Sequence, residues 1–191
     1  MLESGSKVID GPTEETVTQY LSKIMSEHEA ANTWQEEWNL PEYRASFRIE
    51  KVEITRKDGI PAAVFSSDEE ICIRIKYHVF KSFPSVRFSI HLNTVEAILV
   101  MATTDADTLS SFGHSREPGV FVSRCWIPRN LLSPTDYLIH LGAYLPTNQL
   151  ISGAENVSSF KVVETSGPIV PKMHGVVSPL LKWEMEKVRD G

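Results

Sequence analysis

Two groups of side chains in this sequence have the chemistry of a metal-binding or catalytic site. Six histidines occur, at positions 28, 78, 91, 114, 140 and 174. His78, His91 and His140 each fall on the polar side of an alternating segment, and imidazoles from three strands can ligate a metal ion. The simpler interpretation is that they are surface residues, because no carboxylate is spaced to complete such a site. Asp105 and Asp107 could form a glycosidase carboxylate pair, but they lie in a polar loop where aspartate is ordinary turn material.

Composition and motifs exclude several classes of function. The chain carries 19 Lys and Arg against 25 Asp and Glu, a formal net charge of −6, and it has no run of basic residues. Clustered positive charge is what nucleic acid requires, so we expect no nucleic-acid partner. The motifs GxxxxGK[ST], GxGxxG, GxSxG, HExxH and CxxC are absent from the sequence. A phosphate-binding loop is therefore excluded within this chain, and we expect neither a cofactor nor an enzymatic activity.

The hydrophobic pattern changes period once along the chain. After Gly11 and Pro12, apolar residues recur at helical spacing as far as His28, which predicts a helix. From Ser46 onward the period is two, as in strands. The predicted strands cover residues 46–54, 60–65, 71–79, 86–92, 95–102, 120–127, 136–145, 160–163 and 175–186. Short strands separated by turn residues predict an all-β fold, an antiparallel β-sandwich or jelly roll, with a helical N-terminal appendage.

The strand parity also identifies side chains that face away from the core. Charged and aromatic groups of this kind bind sugars, because flat rings cover C–H faces and charged donors bind hydroxyls. If these residues share one sheet face, that face is a candidate glycan site. The alternative is that the tryptophan is buried under a loop and the arginines are merely solvated. The candidate carbohydrate-binding residues are Arg74, His78, Arg87, Arg124, Trp126, His140 and Tyr144.

Four stretches of the sequence resemble a known family. Leu2–Leu21 resembles the closing stretch of an ABC-transporter nucleotide-binding domain. Ser67–Tyr77, Ser123–Tyr137 and Gly175–Trp183 resemble, in order and spacing, a domain that follows it in polysaccharide exporters. The chain is similar to the C-terminal carbohydrate-binding domain of Wzt-type O-antigen ABC transporter ATPases. The chain departs from the family pattern at Thr135, since the family usually has a glycine before the strand tyrosine, which is Tyr137 here.

The resemblance implies an immunoglobulin-like or jelly-roll sandwich that binds O-antigen polysaccharide without catalysis, probing its non-reducing end before export. It also implies a homodimer that exchanges the strand Gly175–Glu186, and a transmembrane subunit as partner at the cytoplasmic face of the bacterial inner membrane. The expected organisation is an ATPase tail and connecting helix over 1–31, a linker over 32–45 and the sandwich over 46–191. The alternatives are a purely structural dimerisation domain and a metal-dependent sugar-modifying enzyme.

Overall fold

The structure is a computed structural model that describes residues 2–3, 6–7, 34–107, 115–165 and 175–177. Short 3-10 turns cover Glu36–Trp38 and Asp105–Asp107. The predicted N-terminal helix and most of the predicted strand Gly175–Glu186 lie outside the described residues. The strands are β1 (Leu2–Glu3), β2 (Ser6–Lys7), β3 (Phe47–Thr55), β4 (Val64–Ser66), β5 (Ile71–Val79), β6 (Arg87–Thr94), β7 (Leu99–Thr104), β8 (Gly119–Ile127), β9 (Asp136–Tyr144) and β10 (Leu150–Val163).

The prediction of an all-β sandwich is confirmed: eight of these strands form two sheets, and β1 and β2 form a separate hairpin. The three-stranded sheet has the order β3-β5-β8, and all its pairs are antiparallel. Its central strand β5 alternates as predicted, with Ile73, Ile75 and Tyr77 buried. A bulge interrupts the pairing of β3 with β5 between Ile49 and Lys51.

The five-stranded sheet has the order β4-β10-β9-β6-β7, and it corrects three details of the prediction. Its edge strand β4 runs parallel to β10, so the fold is not wholly antiparallel. β4 begins at Val64 rather than residue 60, because Pro61 contributes only an isolated bridge to Thr55 and proline cannot donate to a ladder. β7 begins at Leu99 rather than residue 95, since a turn with Ala97 at φ 62° precedes it.

The largest correction concerns β10, which has 14 residues where only residues 160–163 were predicted as strand. Its first part contains Gly153 and Asn156, residue types that are depleted in strands. The pairing with β9 breaks between Ala154 and Ser158, and Asn156 adopts a φ of 52° within this bulge. The extended ladder that β10 forms with β9 overrides the low strand preference of these residues. The result is an irregular, bulged segment in the middle of the sheet.

Aromatic side chains fill the space between the two sheets. Phe47 and Tyr77 come from the three-stranded sheet, and their ring centroids lie 5.6 Å apart. Phe88 comes from the five-stranded sheet and lies 5.0 Å from Tyr77 and 6.4 Å from Phe47. All three are fully buried. Contacts of this kind add to the burial of apolar area, so the cluster stabilises the packing of one sheet on the other.

The segment before the first sandwich strand is fastened to both sheets by Asn39. Its Oδ1 accepts hydrogen bonds from the backbone N–H of Ile49 in β3 (3.1 Å) and from the hydroxyl of Ser152 in β10 (2.9 Å). The 3-10 turn Glu36–Trp38 lies in this segment, and the rings of Trp34 and Trp38 meet edge to face at 5.0 Å. Asn39 is 1% exposed, so its hydrogen bonds form away from water.

We expect Asn39→Ala to lower the free energy of unfolding by about 1–3 kcal/mol, because the buried N–H of Ile49 loses its side-chain acceptor and the hydroxyl of Ser152 keeps only the carbonyl of Trp38. Urea denaturation of the variant and the wild type measures this difference. Glu42→Ala, an exposed position in the same segment, is the matched control and should change stability by less than about 0.5 kcal/mol. Similar destabilisation by both substitutions would contradict the role of Asn39.

Candidate functional site

The seven candidate residues lie on two opposite outer faces of the sandwich. Arg74, His78, Arg124 and Trp126 project from the three-stranded sheet, on β5 and β8. Arg87, His140 and Tyr144 project from the five-stranded sheet, on β6 and β9. The expectation of one shared face is therefore wrong. The alternation of residues along a strand predicts whether a side chain faces the core or the solvent. It does not predict which of the two sheets the strand belongs to.

On the three-stranded sheet, acidic residues of β3 neutralise the predicted cationic groups. The guanidinium of Arg74 lies 2.9 Å from a carboxylate oxygen of Glu53. Glu50 pairs with Lys76 at 2.9 Å and contacts His78 at 3.6 Å. The hydrogen bond from Lys76 and its charge hold the pKa of Glu50 below the ordinary value. Arg74 and His78 are thus engaged within the sheet, which leaves them less able to bind an anionic group.

Arg124 and Trp126 lie near the end of β8, on the same outer face. Trp126 is 48% exposed, as parity predicts, so it is not buried under a loop. Arg124 is also exposed and sits opposite Arg74 in the register of β5 and β8. These two side chains form an exposed strip at a sheet edge.

The five-stranded sheet carries a trough on its outer face, with a volume of about 340 Å³. Gly142 in β9 and Gly153 in β10 are direct cross-strand partners, so no side chain rises between their strands at this point. The ring of Tyr144 leans over Gly142: a methyl group at that glycine would lie 2.6 Å from the ring carbon Cε2. The absent side chain is therefore what allows the Tyr144 ring to lie flat along the sheet.

A cation lies above the aromatic end of the trough. Arg87 is the cross-strand partner of Tyr144, and its guanidinium carbon lies 5.4 Å from the centre of the tyrosine ring. This distance is within the range of a cation–π contact. On the other side of β9, Leu150 is the partner of Tyr144 and is partly exposed. This end of the trough thus combines an apolar surface with a planar donor.

The opposite end of the trough is polar. His91 and His140 face each other across β6 and β9, and Glu155 lies beside them. The side chain of Asn156 lies close enough to His140 for a hydrogen bond between them to raise the pKa of the imidazole. The polar end of the trough is thus formed by two imidazoles and a carboxylate.

Most residues that line the trough were not among the sequence-based candidates. Gly153 and Glu155 belong to the part of β10 that was not predicted as strand. Gly142 was inside a predicted strand, and an isolated glycine in such a pattern signals close approach of another group. That signal was available in the sequence, whereas the pairing of Gly142 with Gly153 depends on the register of distant segments.

The possible metal and catalytic groups do not converge. His78 lies on the three-stranded sheet, on the face opposite His91 and His140. Among the described residues, no group of three or more His, Cys, Asp or Glu side chains is placed to hold a metal ion. The carboxylate of Asp105 instead accepts a hydrogen bond from the backbone N–H of Phe88, at 2.9 Å. The metal-dependent alternative therefore finds no support in the described residues.

Comparison with known proteins agrees with this fold. The model of a family described as the Wzt C-terminal domain matches residues 45–179. The chain belongs to this family. The crystal structure of the C-terminal domain of Wzt is 16% identical, with a TM-score of 0.60 over 87% of this chain and 99% of that chain. A Niemann-Pick type C2 protein from Japanese carpenter ant is 8% identical, with a TM-score of 0.42 over 62% of this chain and 93% of that chain. No curated protein matches.

Membership of the Wzt C-terminal domain family supports a role in an O-antigen ABC transporter, of which this domain is a non-catalytic part. In the ranges that the structure describes, no helix is long and apolar enough to span a bilayer.

The two cysteines, Cys72 and Cys125, are both free thiols. On the three-stranded sheet, Cys72 pairs with the outward-facing Trp126, whereas Cys125 pairs with the inward-facing Ile73. The two thiols therefore project from opposite faces of the sheet.

The half-buried imidazole of His140 should make the stability of the domain depend on pH. Burial lowers the pKa of His140, the charge of nearby His91 adds to that shift, and the charge of Glu155 and a hydrogen bond with Asn156 oppose it. The unfolded chain binds this proton near pH 6.5, roughly, and the folded chain binds it at lower pH. Its contribution to stability is therefore complete above that value and falls as the pH drops below it.

We expect His140→Gln to remove the pH-dependent contribution of the imidazole to stability. When the pH is lowered from about 7.5 to about 5.5, the melting temperature of the variant should therefore fall less than that of the wild type. Differential scanning calorimetry across that range measures the difference in slope. Other groups titrate equally in both proteins and cancel in the comparison. Identical slopes for the two proteins would contradict the half-buried, neutral state of His140.

Proposed function

We propose that this domain is a non-catalytic glycan-binding module that holds O-antigen polysaccharide in the trough on the five-stranded sheet. The observation that carries the proposal is the ring of Tyr144, which lies flat along the sheet over Gly142. A sugar ring needs a flat apolar surface for its C–H face, and the Tyr144 ring supplies this surface in the trough. The non-reducing terminal region of the polymer is the part we expect to enter.

Polar groups around this surface would bind the hydroxyl groups of the sugar. Arg87 offers guanidinium donors beside the aromatic surface, and the imidazole of His140 lines the polar end of the trough. Glu155 offers a carboxylate acceptor at the same end as His140. A planar stacking surface with donors and acceptors around it gives orientation as well as affinity.

The same geometry argues against hydrolysis in the trough. Glycosidases need two carboxyl groups that flank the scissile bond. Among the described residues that line the trough, Glu155 is the one carboxylate. The bound polymer would therefore be recognised and released unchanged.

Arg74, His78, Arg124 and Trp126 form a second, weaker candidate on the opposite face. Arg74 and His78 are engaged by Glu53 and Glu50. Trp126 is available for stacking, but it lies at a sheet edge. We therefore assign these four residues a secondary role at most, and use Trp126 to distinguish the two faces by experiment.

In the full-length subunit, the domain would follow the ATPase and act at the cytoplasmic face of the inner membrane with the transmembrane subunit. Residues 1–31 would be the tail of the ATPase domain with its connecting helix, and residues 32–45 the linker. Asn39 supports a firm attachment of that linker, since its side chain bonds to both sheets. The acidic balance of the chain, −6, is consistent with a glycan partner rather than a nucleic acid.

We expect Tyr144→Ala to weaken binding of O-polysaccharide by about tenfold, because the stacking surface is lost. Gly142→Ala should weaken binding as well. The added methyl group would lie 2.6 Å from Cε2 of Tyr144, so the tyrosine ring must move away from its position over the sheet. Calorimetric titration with O-polysaccharide purified from the source strain measures both effects. Gly119→Ala in β8 is the matched control, because a methyl group there meets Phe121 at an ordinary 3.5 Å.

Trp126→Ala tests the opposite face under the same conditions. Unchanged affinity is expected for this variant. If Trp126→Ala abolishes binding while Tyr144→Ala leaves it intact, the site lies on the three-stranded sheet. If the folded wild-type protein binds no polysaccharide at all, a purely structural role in dimerisation replaces the proposal.

A homodimer formed by exchange of the strand Gly175–Glu186 belongs to the same proposal. The described start of this segment is fixed to its own sandwich: Val177 bridges Leu132, and the carbonyl of Val176 accepts a hydrogen bond from Tyr137 at 3.1 Å. Burial raises the pKa of Tyr137 to about 12, so this donor keeps its proton. The segment Thr165–Gly175 before it contains two prolines and two glycines, which suits a hinge.

A chain that ends at Val177 keeps these contacts and lacks the remainder of the exchanged strand. We expect the full chain to be a dimer and the shortened chain a monomer by light scattering after size exclusion. Circular dichroism verifies that the sandwich remains folded. A dimer that survives the truncation, or a monomeric full chain, would rule out exchange as the basis of assembly.

A further inference from the structure

A second space lies inside the sandwich, separate from the trough. It has a volume of about 450 Å³ and lies between the two sheets along β7 and β8. These are the outermost strands on one side of the two described sheets. The inward-facing residues Phe121 and Cys125 of β8 are only partly buried, whereas Ile75 and Tyr77 of the neighbouring strand β5 are fully buried. The sheets therefore diverge on this side of the fold.

Aromatic and aliphatic side chains from both sheets form one wall of this cavity. Tyr77 and Phe121 stack at 5.5 Å with an interplanar angle of 17°, and Phe88 faces them from the other sheet at 5.0 Å from Tyr77. Ile90 and Cys125 complete the inner surface. Protein interiors are packed as densely as organic crystals, so a space of this size is not an ordinary packing defect. It falls within the usual volume range of small-molecule sites.

Three charged residues line the same cavity: Asp105, Arg116 and Arg124. Oδ2 of Asp105 and Nε of Arg116 have no hydrogen-bond partner within the described part of the chain. Oδ1 of Asp105 accepts a hydrogen bond from the backbone N–H of Phe88. Burial raises the pKa of this carboxyl group, and the charge of Arg116 opposes the rise. The backbone of Arg116 pairs with that of Phe83 at 2.8 and 3.0 Å, so the position of its side chain is constrained.

The guanidinium of Arg116 is the group that offers a ligand a charge-assisted hydrogen bond. It lies 5.8 Å from the ring centres of both Tyr77 and Phe121, so a cation borders the aromatic wall. An anionic oxygen would pair with this guanidinium, and an aliphatic chain attached to it would fill the space between the rings.

We propose that this cavity binds a straight hydrocarbon chain that ends in an anionic oxygen head group. The chain lies between the aromatic residues of the two sheets, and the head group contacts Arg116. This site is independent of the trough, because alternate residues of β6 face the two spaces: Phe88 faces inward, and Arg87 faces outward.

Decanoate is the probe for this site, with decan-1-ol as the uncharged comparison. Calorimetry on the full chain should show saturable binding of decanoate that is stronger than that of decanol. Arg116→Gln should weaken decanoate by about tenfold or more, because a hydrogen bond to a charged group is lost, and should leave decanol unchanged. If Arg116→Gln leaves the affinity for decanoate unchanged, the assignment of the head group is overturned.

Cys125→Phe tests the location of the chain. A phenyl ring on this inward-facing residue occupies the cavity and should weaken both probes by at least about tenfold. Val120→Phe is the matched control, since Val120 lies on the same strand, is 54% exposed and faces outward. Binding that is equal in Cys125→Phe and the wild type would overturn the proposal.

Alkylation of the wild-type protein gives a test that needs no folded variant. Iodoacetamide at about pH 9 converts the thiol of Cys125 to its thioether, and Cys72, which is 2% exposed, should react far more slowly. Saturating decanoate should slow the alkylation of Cys125, as followed by mass spectrometry. Absence of both protection and binding heat would mean that another part of the chain fills the cavity, and would overturn the proposal. Polysaccharide binding by Cys125→Phe should stay normal, so each proposal can fail separately.

Discussion

The packing of aromatic rings between the two sheets is the interaction on which the rest of this structure depends. No described strand belongs to both sheets, so their association rests on inward-facing side chains. Phe47, Tyr77 and Phe88 are fully buried and within 6.4 Å of one another, and they come from both sheets. Side chains alternate along a strand, so the inward position of these three rings places the residues on either side of each of them outward. The outer faces that carry the candidate site residues are therefore a consequence of the core.

This dependence explains which parts of the fold were predictable. The strict alternation of Ile71–Val79 identified β5 and its buried face correctly, and the parity of β8 placed Trp126 outside. Alternation is a local property, and the core enforces it. Sheet order is not local: β5 pairs with β8, whereas β6 pairs with β9, and nothing in any one strand states this. The seven candidate residues were each assigned correctly to an outward position, but they divide between two opposite faces.

The trough was predictable only in part, for a related reason. Tyr144, Arg87 and His140 were accessible to the parity argument, because each lies in a regular strand. Their neighbours on β10 were not, because Gly153 and Asn156 suppress the strand pattern that would have revealed them. The features that make this segment hard to predict also shape the proposed site. The glycine lines the trough, and the bulge brings Asn156 beside His140.

The two sides of the sandwich differ in how tightly they are closed. On one side Asn39 bonds to β3 and β10, which ties the two sheets together with buried polar contacts. On the other side β7 and β8 leave the sheets apart, and the cavity occupies the gap. β6 lies between these regions and contributes to both proposed sites, since Phe88 and Ile90 line the cavity while Ser89 and His91 line the trough. The period of two allows one strand to present an apolar wall on one side and a polar wall on the other. Its regular pairing with β9 over all eight residues of the strand keeps both walls in register.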